Sequence, residues 1–169
     1  LIAYYSRTKN TEKVALVVKK EFEKRGHNIE IEKIKPVKEH HFLTWFLMRC
    51  FVWETDIQPL KFNEVSSFDR ICIGSPNWTV VSLPAARYIK EIKGIEDKKV
   101  GIFYTSGGFP QEPYLEFYLP YGTFISRIKK QGGRVIAKLF ISSMTPPWKI
   151  ESKYAQKAIK EFCDKVEKA

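Results

Sequence analysis

The stretch Tyr4–Ala15, "YYSRTKNTEKVA", decides how the rest of the chain is read. An apolar opening, Leu1–Tyr5, stops at Ser6, and a helical periodicity begins near Thr11 with Val14, Val17, Val18 and Phe22 on one face. Between them stand three hydroxyls and an amide, Ser6, Thr8, Asn10 and Thr11, with Arg7 and Lys9 adding charge. One such residue is enough to cap a helix. Four within six positions, next to the free N–H groups of a helix start, suit a phosphate monoester.

Outward from this seam the periodicity alternates. Asn28–Ile34 reads as an edge strand, with Ile29, Ile31 and Ile34 set against charged residues. Short apolar runs at Arg70–Gly74, Lys99–Thr105 and Arg134–Ser142 read as further strands. Helical patterns fall at Leu83–Ile92, with Pro84 in the first turn, at Tyr114–Gln131, and at Ser152–Val166. The last presents Ala155, Ile159, Phe162, Cys163 and Val166 as its core face. Strands alternating with helices call for a parallel sheet covered on both faces, an open, doubly wound, three-layer α/β domain spanning 1–169. Ligands of such folds sit beyond the carboxyl ends of the strands.

Two more strand ends carry informative residues. After the third strand come Pro76, Asn77, Trp78 and Thr79, where a flat aromatic at the rim suits a flat ligand. After the fourth come Thr105, Ser106, Gly107 and Gly108, whose paired glycines let a ligand approach the backbone. Other phosphate chemistries are excluded. There is no G-x-x-x-x-G-K-[ST] and no G-x-G-x-x-G; no acidic pair follows the first strand, and no cysteine lies in the first loop.

These loops resemble those of the flavodoxin-like FMN-binding family over nearly the whole chain. Ser6-Arg7-Thr8-Lys9-Asn10-Thr11 is similar to its [ST]-x-T-G-x-T phosphate loop except at Lys9, where glycine is usual. "FDRICIGSPNWTVVSLPAARYI" and "KKVGIFYTSGG" resemble its two ring-flanking segments. The resemblance implies sheet order 2-1-3-4-5 and FMN as cofactor. It puts the phosphate on Ser6, Arg7, Thr8, Asn10 and Thr11, and the ring between Pro76-Asn77-Trp78-Thr79 and Thr105-Ser106-Gly107-Gly108. Phe109 and Tyr114 are candidates for an aromatic capping the ring. The implied function is electron transfer without catalytic side chains. A nicotinamide-dependent quinone or flavin reductase and a flavin-free interaction module are the alternatives.

The formal charge of +10 is compatible with nucleic acid, an anionic surface or an acidic protein. With this fold the expected partner is a redox protein with an acidic face, and nucleic acid is not expected. Three scattered cysteines without a C-x-x-C pair fit a reduced, cytoplasmic setting. The opening is too short for a secretory leader. One segment stands apart. His40–Glu54 is apolar almost all round, which suits a covering helix, a homodimer contact or, less naturally, a shallow membrane contact. The pair His40-His41 lacks further ligands at metal spacing. In Met144–Trp148, Trp148 is expected to pack over the last helix or shape a partner site.

Overall fold

The computed structural model describes residues 1–51, 55–113 and 123–169, with the backbone alone for Phe42, Arg49 and Cys50. The elements in chain order are β1 (Ile2–Tyr5), α1 (Asn10–Lys24), β2 (Ile31–Ile34), α2 (Phe42–Cys50) and β3 (Arg70–Pro76), followed by α3 (Leu83–Glu91), β4 (Lys99–Ser106), α4 (Phe124–Lys130), β5 (Arg134–Ser142) and α5 (Lys153–Lys168). The strands pair in parallel in the order β2-β1-β3-β4-β5. The reversal between β1 and β3 sends α1 and α3 to opposite faces and opens the crevice in which such sheets bind ligands.

Period-two alternation makes two cores from one sheet. On one side Ala3, Tyr5, Ile71, Ile73, Val100, Ile102 and Tyr104 pack with Ala85, Tyr88 and Ile89 of α3 and Phe124 and Ile128 of α4. On the other Ile2, Tyr4, Cys72, Phe103, Leu139 and Ile141 meet Val14, Val18 and Phe22 of α1. There α5 adds Ala155, Ile159, Phe162, Cys163 and Val166, the face its sequence predicts. Burial in this second core pushes the Cys72 thiol up to about 12 and raises that of Cys163 as well.

The second strand lies at the edge of the sheet as expected, but its start and the grouping of its isoleucines need correction. β2 begins at Ile31, and its most buried residues are Glu32 and Ile34, with Ile31 half-buried. Ile31 and Ile34 have opposite parity, so they serve opposite cores rather than one dry face. Glu32 is tolerated because its Oε2 accepts the backbone N–H of Phe62 at 2.7 Å.

The helix expected over Tyr114–Gln131 is described from Phe124 to Lys130, capped by the Thr123 hydroxyl, which accepts from Ser126 N. Its expected first part, 114–122, lies outside the described residues, as do 52–54 of the apolar segment. Within that segment α2 buries Trp45 and leaves Leu43, Leu47 and Phe51 exposed, one helical turn apart. The histidines have structural work here. His41 Nδ1 caps α2 by accepting from Leu43 N, and the His40 ring stands edge-on to Trp45 at 4.9 Å. Among the described residues no helix is long and apolar enough to cross a membrane.

Candidate functional site

β1 ends at Tyr5, and the chain turns through Ser6–Lys9 into α1. Lys9 is the N-cap residue, with φ 64° and ψ 0°, the left-handed conformation that glycine adopts without cost. Its side chain makes no capping bond, so the first N–H groups of α1 keep their donors for something else. Ser6 Oγ is buried with no hydrogen-bond partner among the described residues. Asn10 Nδ2 donates to Thr8 Oγ1 at 3.3 Å, holding the loop's polar groups together. Arg7, Thr8 and Lys9 are exposed.

Glu12, the acid in the first turn of α1, is otherwise engaged. Both Glu12 carboxylate oxygens accept from Lys33 Nζ at 3.0 Å, and Tyr4 OH donates to one of them at 3.1 Å. Lys33, helped by Tyr4 and Lys9, holds this carboxyl below its usual range. An anion arriving at the loop therefore meets Arg7, Lys9 and uncapped N–H groups with the Glu12 carboxylate already paired.

An L-residue in left-handed backbone costs roughly 1 kcal/mol relative to glycine. Lys9→Gly is accordingly expected to raise the unfolding free energy by about 1 kcal/mol, read from urea denaturation. An unchanged or lower midpoint would show that the Lys9 side chain stabilises the loop by at least that much.

The loop after β3 is a tight turn. Trp78 N donates to Val80 O at 3.1 Å, and Thr79 sits at its apex with φ 72°, an outlier for a β-branched residue. Asn77 restrains it: its Oδ1 accepts from Thr79 N at 2.9 Å while its Nδ2 donates to Gln111 O at 2.7 Å. Trp78 is half-buried, edge-on to Tyr5 at 6.5 Å. Pro76 is buried as the last residue of β3, in register with Thr105.

Thr105 is where the loops meet. Its carbonyl accepts from Asn77 N at 2.7 Å, and its hydroxyl lies 2.7 Å from that of Thr11, which is 1% exposed. Thr11 thus ties the start of α1 to the end of β4 rather than presenting its oxygen openly. Ser106 Oγ donates to the carbonyls of Gly108 and Phe109, and Ser106 O accepts from both the N–H and the hydroxyl of Ser143. Gly107 and Gly108 are exposed, and neither has a positive φ. A Cβ at Gly107 would stand 3.7 Å from Met144 Sδ; one at Gly108 would meet nothing within 4 Å. Phe109 makes its ring contact with Trp148, and Trp148 in turn with Tyr154 of α5. Tyr114, the other capping candidate, lies outside the described residues.

The sequence offered no signal for Glu39, a lone carboxylate on a connection. Its Oε1 accepts from Tyr5 OH at 2.6 Å and from Trp45 Nε1 at 2.9 Å. Tyr5, read from sequence as core, also supports Trp78. Trp45 is 1% exposed, so its ring belongs to the interior of its own chain.

Burial, reinforced by Glu39 and Glu12 respectively, raises the phenols of Tyr5 and Tyr4 well above the ordinary value near 10, and burial beside Glu32 does the same for Tyr88. Stability gained by keeping them neutral is complete below pH ~10 and declines as pH rises beyond it. Phenolate absorbance should therefore lag behind free tyrosine and rise together with loss of the far-ultraviolet dichroism. Three phenols ionising in the folded protein would contradict this.

Solved structures with the same fold bear on what such a rim is for. A candidate flavoprotein of Bacteroides uniformis is 18% identical with a TM-score of 0.66, over 98% of this chain and 97% of that one. Oxidised flavodoxin 2 of Bacillus cereus is 16% identical with a TM-score of 0.62, over 99% and 96%. A flavoprotein of Lactobacillus acidophilus, in complex with FMN, is 24% identical with a TM-score of 0.55, over 82% and 89%. The chain therefore has the flavodoxin-like fold. No protein-family model matches the sequence, and no curated protein matches it.

Proposed function

We propose that the chain binds FMN and serves as an electron-transfer protein. The observation that carries this is an uncapped α1 N-terminus beside the Ser6 hydroxyl, which has no partner among the described residues: a set of donors in front of one loop. The donor set fits a phosphate monoester: Ser6, Thr8 and Asn10 with backbone N–H groups, and Arg7 and Lys9 for charge. Trp78 supplies one wall for the ring and Ser106–Gly108 the other side. Neither backbone angle nor packing demands glycine at 107 or 108, so close approach of a ligand is the requirement that remains. Bound flavin would supply one- and two-electron chemistry; the protein positions it and limits water. The solved relative holding FMN supports the same reading.

The decisive experiment is calorimetric titration of the purified protein with FMN and with riboflavin. FMN is expected to bind at least a hundredfold more tightly, because the phosphate carries the loop contacts. Gly108→Ala should fold normally yet weaken FMN. Absence of heat and of bound-flavin colour with excess FMN would overturn the proposal. The open space at Gly108 favours a second reading, a nicotinamide-dependent quinone or flavin reductase, which needs room above the ring. Steady oxidation of NADH or NADPH by the flavin-loaded protein would select it.

A further inference from the structure

Beyond the phosphate and ring loops, the same edge carries an aromatic row that its own core does not use. Phe109 is 67% exposed, Met144 68% and Tyr154 55%. Phe109 meets Trp148 at 5.6 Å and Trp148 meets Tyr154 at 6.3 Å, so the three rings form one continuous strip from the second ring loop onto α5. The strip is held in place rather than loosely draped. Ser142 Oγ accepts from Met144 N and Thr145 N, and Ser143 bonds Ser106 O through both its N–H and its hydroxyl. Beneath it lies a cleft of about 240 Å³ walled by Pro110, Trp148 and Tyr154, with Lys138, Lys165 and Glu161 also in its lining.

Exposed Met and aromatic residues around a concavity are the composition of interface cores. The charge around this one is positive. Lys149, Lys153 and Lys157 are exposed beside the strip. Of the nearby acids, Glu112 is paired with Lys138, and Glu161 lies 3.9 Å from Lys157; Glu151 is exposed. A second copy of the chain would bring the same lysines and another formal charge of +10, so self-association on this face is repelled.

We propose that the Phe109–Trp148–Tyr154 strip, with Met144, is the docking surface for an acidic redox protein that inserts an apolar side chain into the cleft and sets carboxylates against Lys149 and Lys153. This rests on the electron-transfer reading and adds the partner's chemistry to it. Met144 stands against Gly107, so an occupant of the strip is brought to the edge of the ring loops. The lysines raise the encounter rate, and the apolar strip fixes the pose. Single-stranded nucleic acid could stack on the same rings. Leu139, Phe140, Ala158 and Phe162 in the lining of the cleft suit an inserted apolar side chain, which favours protein.

The test is a titration of the isotopically labelled full chain, followed by amide chemical shifts, with an acidic [2Fe–2S] ferredoxin as probe. Basic cytochrome c and oligothymidylate serve as counter-probes. Ferredoxin is expected to shift amides of 106–110, 143–149 and 153–158 at low salt, and the shifts should vanish at high salt. Phe109→Ala and the pair Lys149→Glu with Lys153→Glu should each weaken it by about tenfold or more, with unchanged dichroism. No shifts with ferredoxin, shifts mapping to α2, an equal response to cytochrome c, or a stronger one to oligothymidylate would overturn the proposal. The readout needs no flavin. Docking without FMN binding would sink the cofactor reading alone, and FMN binding without these shifts would sink docking alone.

Discussion

Thr11→Val and Thr105→Val are each expected to lower the unfolding free energy by about 1–3 kcal/mol, while the double variant recovers most of that loss. The two hydroxyls lie 2.7 Å apart, both buried, and each single change leaves the other without its partner. An unpaired buried hydroxyl carries its whole desolvation cost; two methyls in the same places carry none. For a chain of this length 1 kcal/mol moves the melting temperature by roughly 2–4 °C. Urea denaturation of the four proteins of the cycle measures the coupling directly. Additive losses would mean that the hydroxyls act separately. With FMN present, Thr11→Val should cost further affinity, because the loop it anchors is the one offered to phosphate.

Gly74→Ala is expected to destabilise by about 1–3 kcal/mol or more, the range for overfilling a packed core. A Cβ on Gly74 would fall 2.2 Å from Cε2 and Cζ of Phe103, its neighbour on β4. Phe103 is fully buried and stands edge-on to Phe162 of α5 at 6.5 Å, so its ring cannot swing clear without moving that helix. Gly74→Ala combined with Phe103→Leu should recover part of the loss, since the smaller side chain vacates the ring's volume. Thermal melts that show Gly74→Ala unchanged would place the ring elsewhere. Gly108→Ala, with open space around it, is the control that should leave stability alone.

Much of the architecture was legible because it rests on periodicity. The buried face of α5 follows from its i, i+4, i+7 spacing, and the three rim loops follow from where apolar runs stop. Lys9 was conspicuous in sequence as a side chain where glycine is usual, and its positive φ supplies the physical reason. β2 was misread because Ile31 and Ile34 were grouped without regard to parity, and because a buried Glu32 looks like a surface residue until Phe62 N is seen to satisfy it. Contacts that join distant segments leave no local trace. The Thr11–Thr105 pair spans 94 positions, and Glu39 reaches Tyr5 across 34. The apolar character of α2 was plain, but which ring turned inward was a matter of tertiary contact: Trp45 had the Glu39 carboxylate waiting for its N–H.

That shared carboxylate has a mechanical corollary. A single oxygen of Glu39 latches the foot of the α2 crossover to the tip of β1, directly behind Trp78. Prying the crossover away would leave a buried phenol and a buried indole both without that acceptor, so the crossover and the aromatic wall yield as one unit. A label or protease cut placed in that distant helix would thus report on the mouth of the crevice.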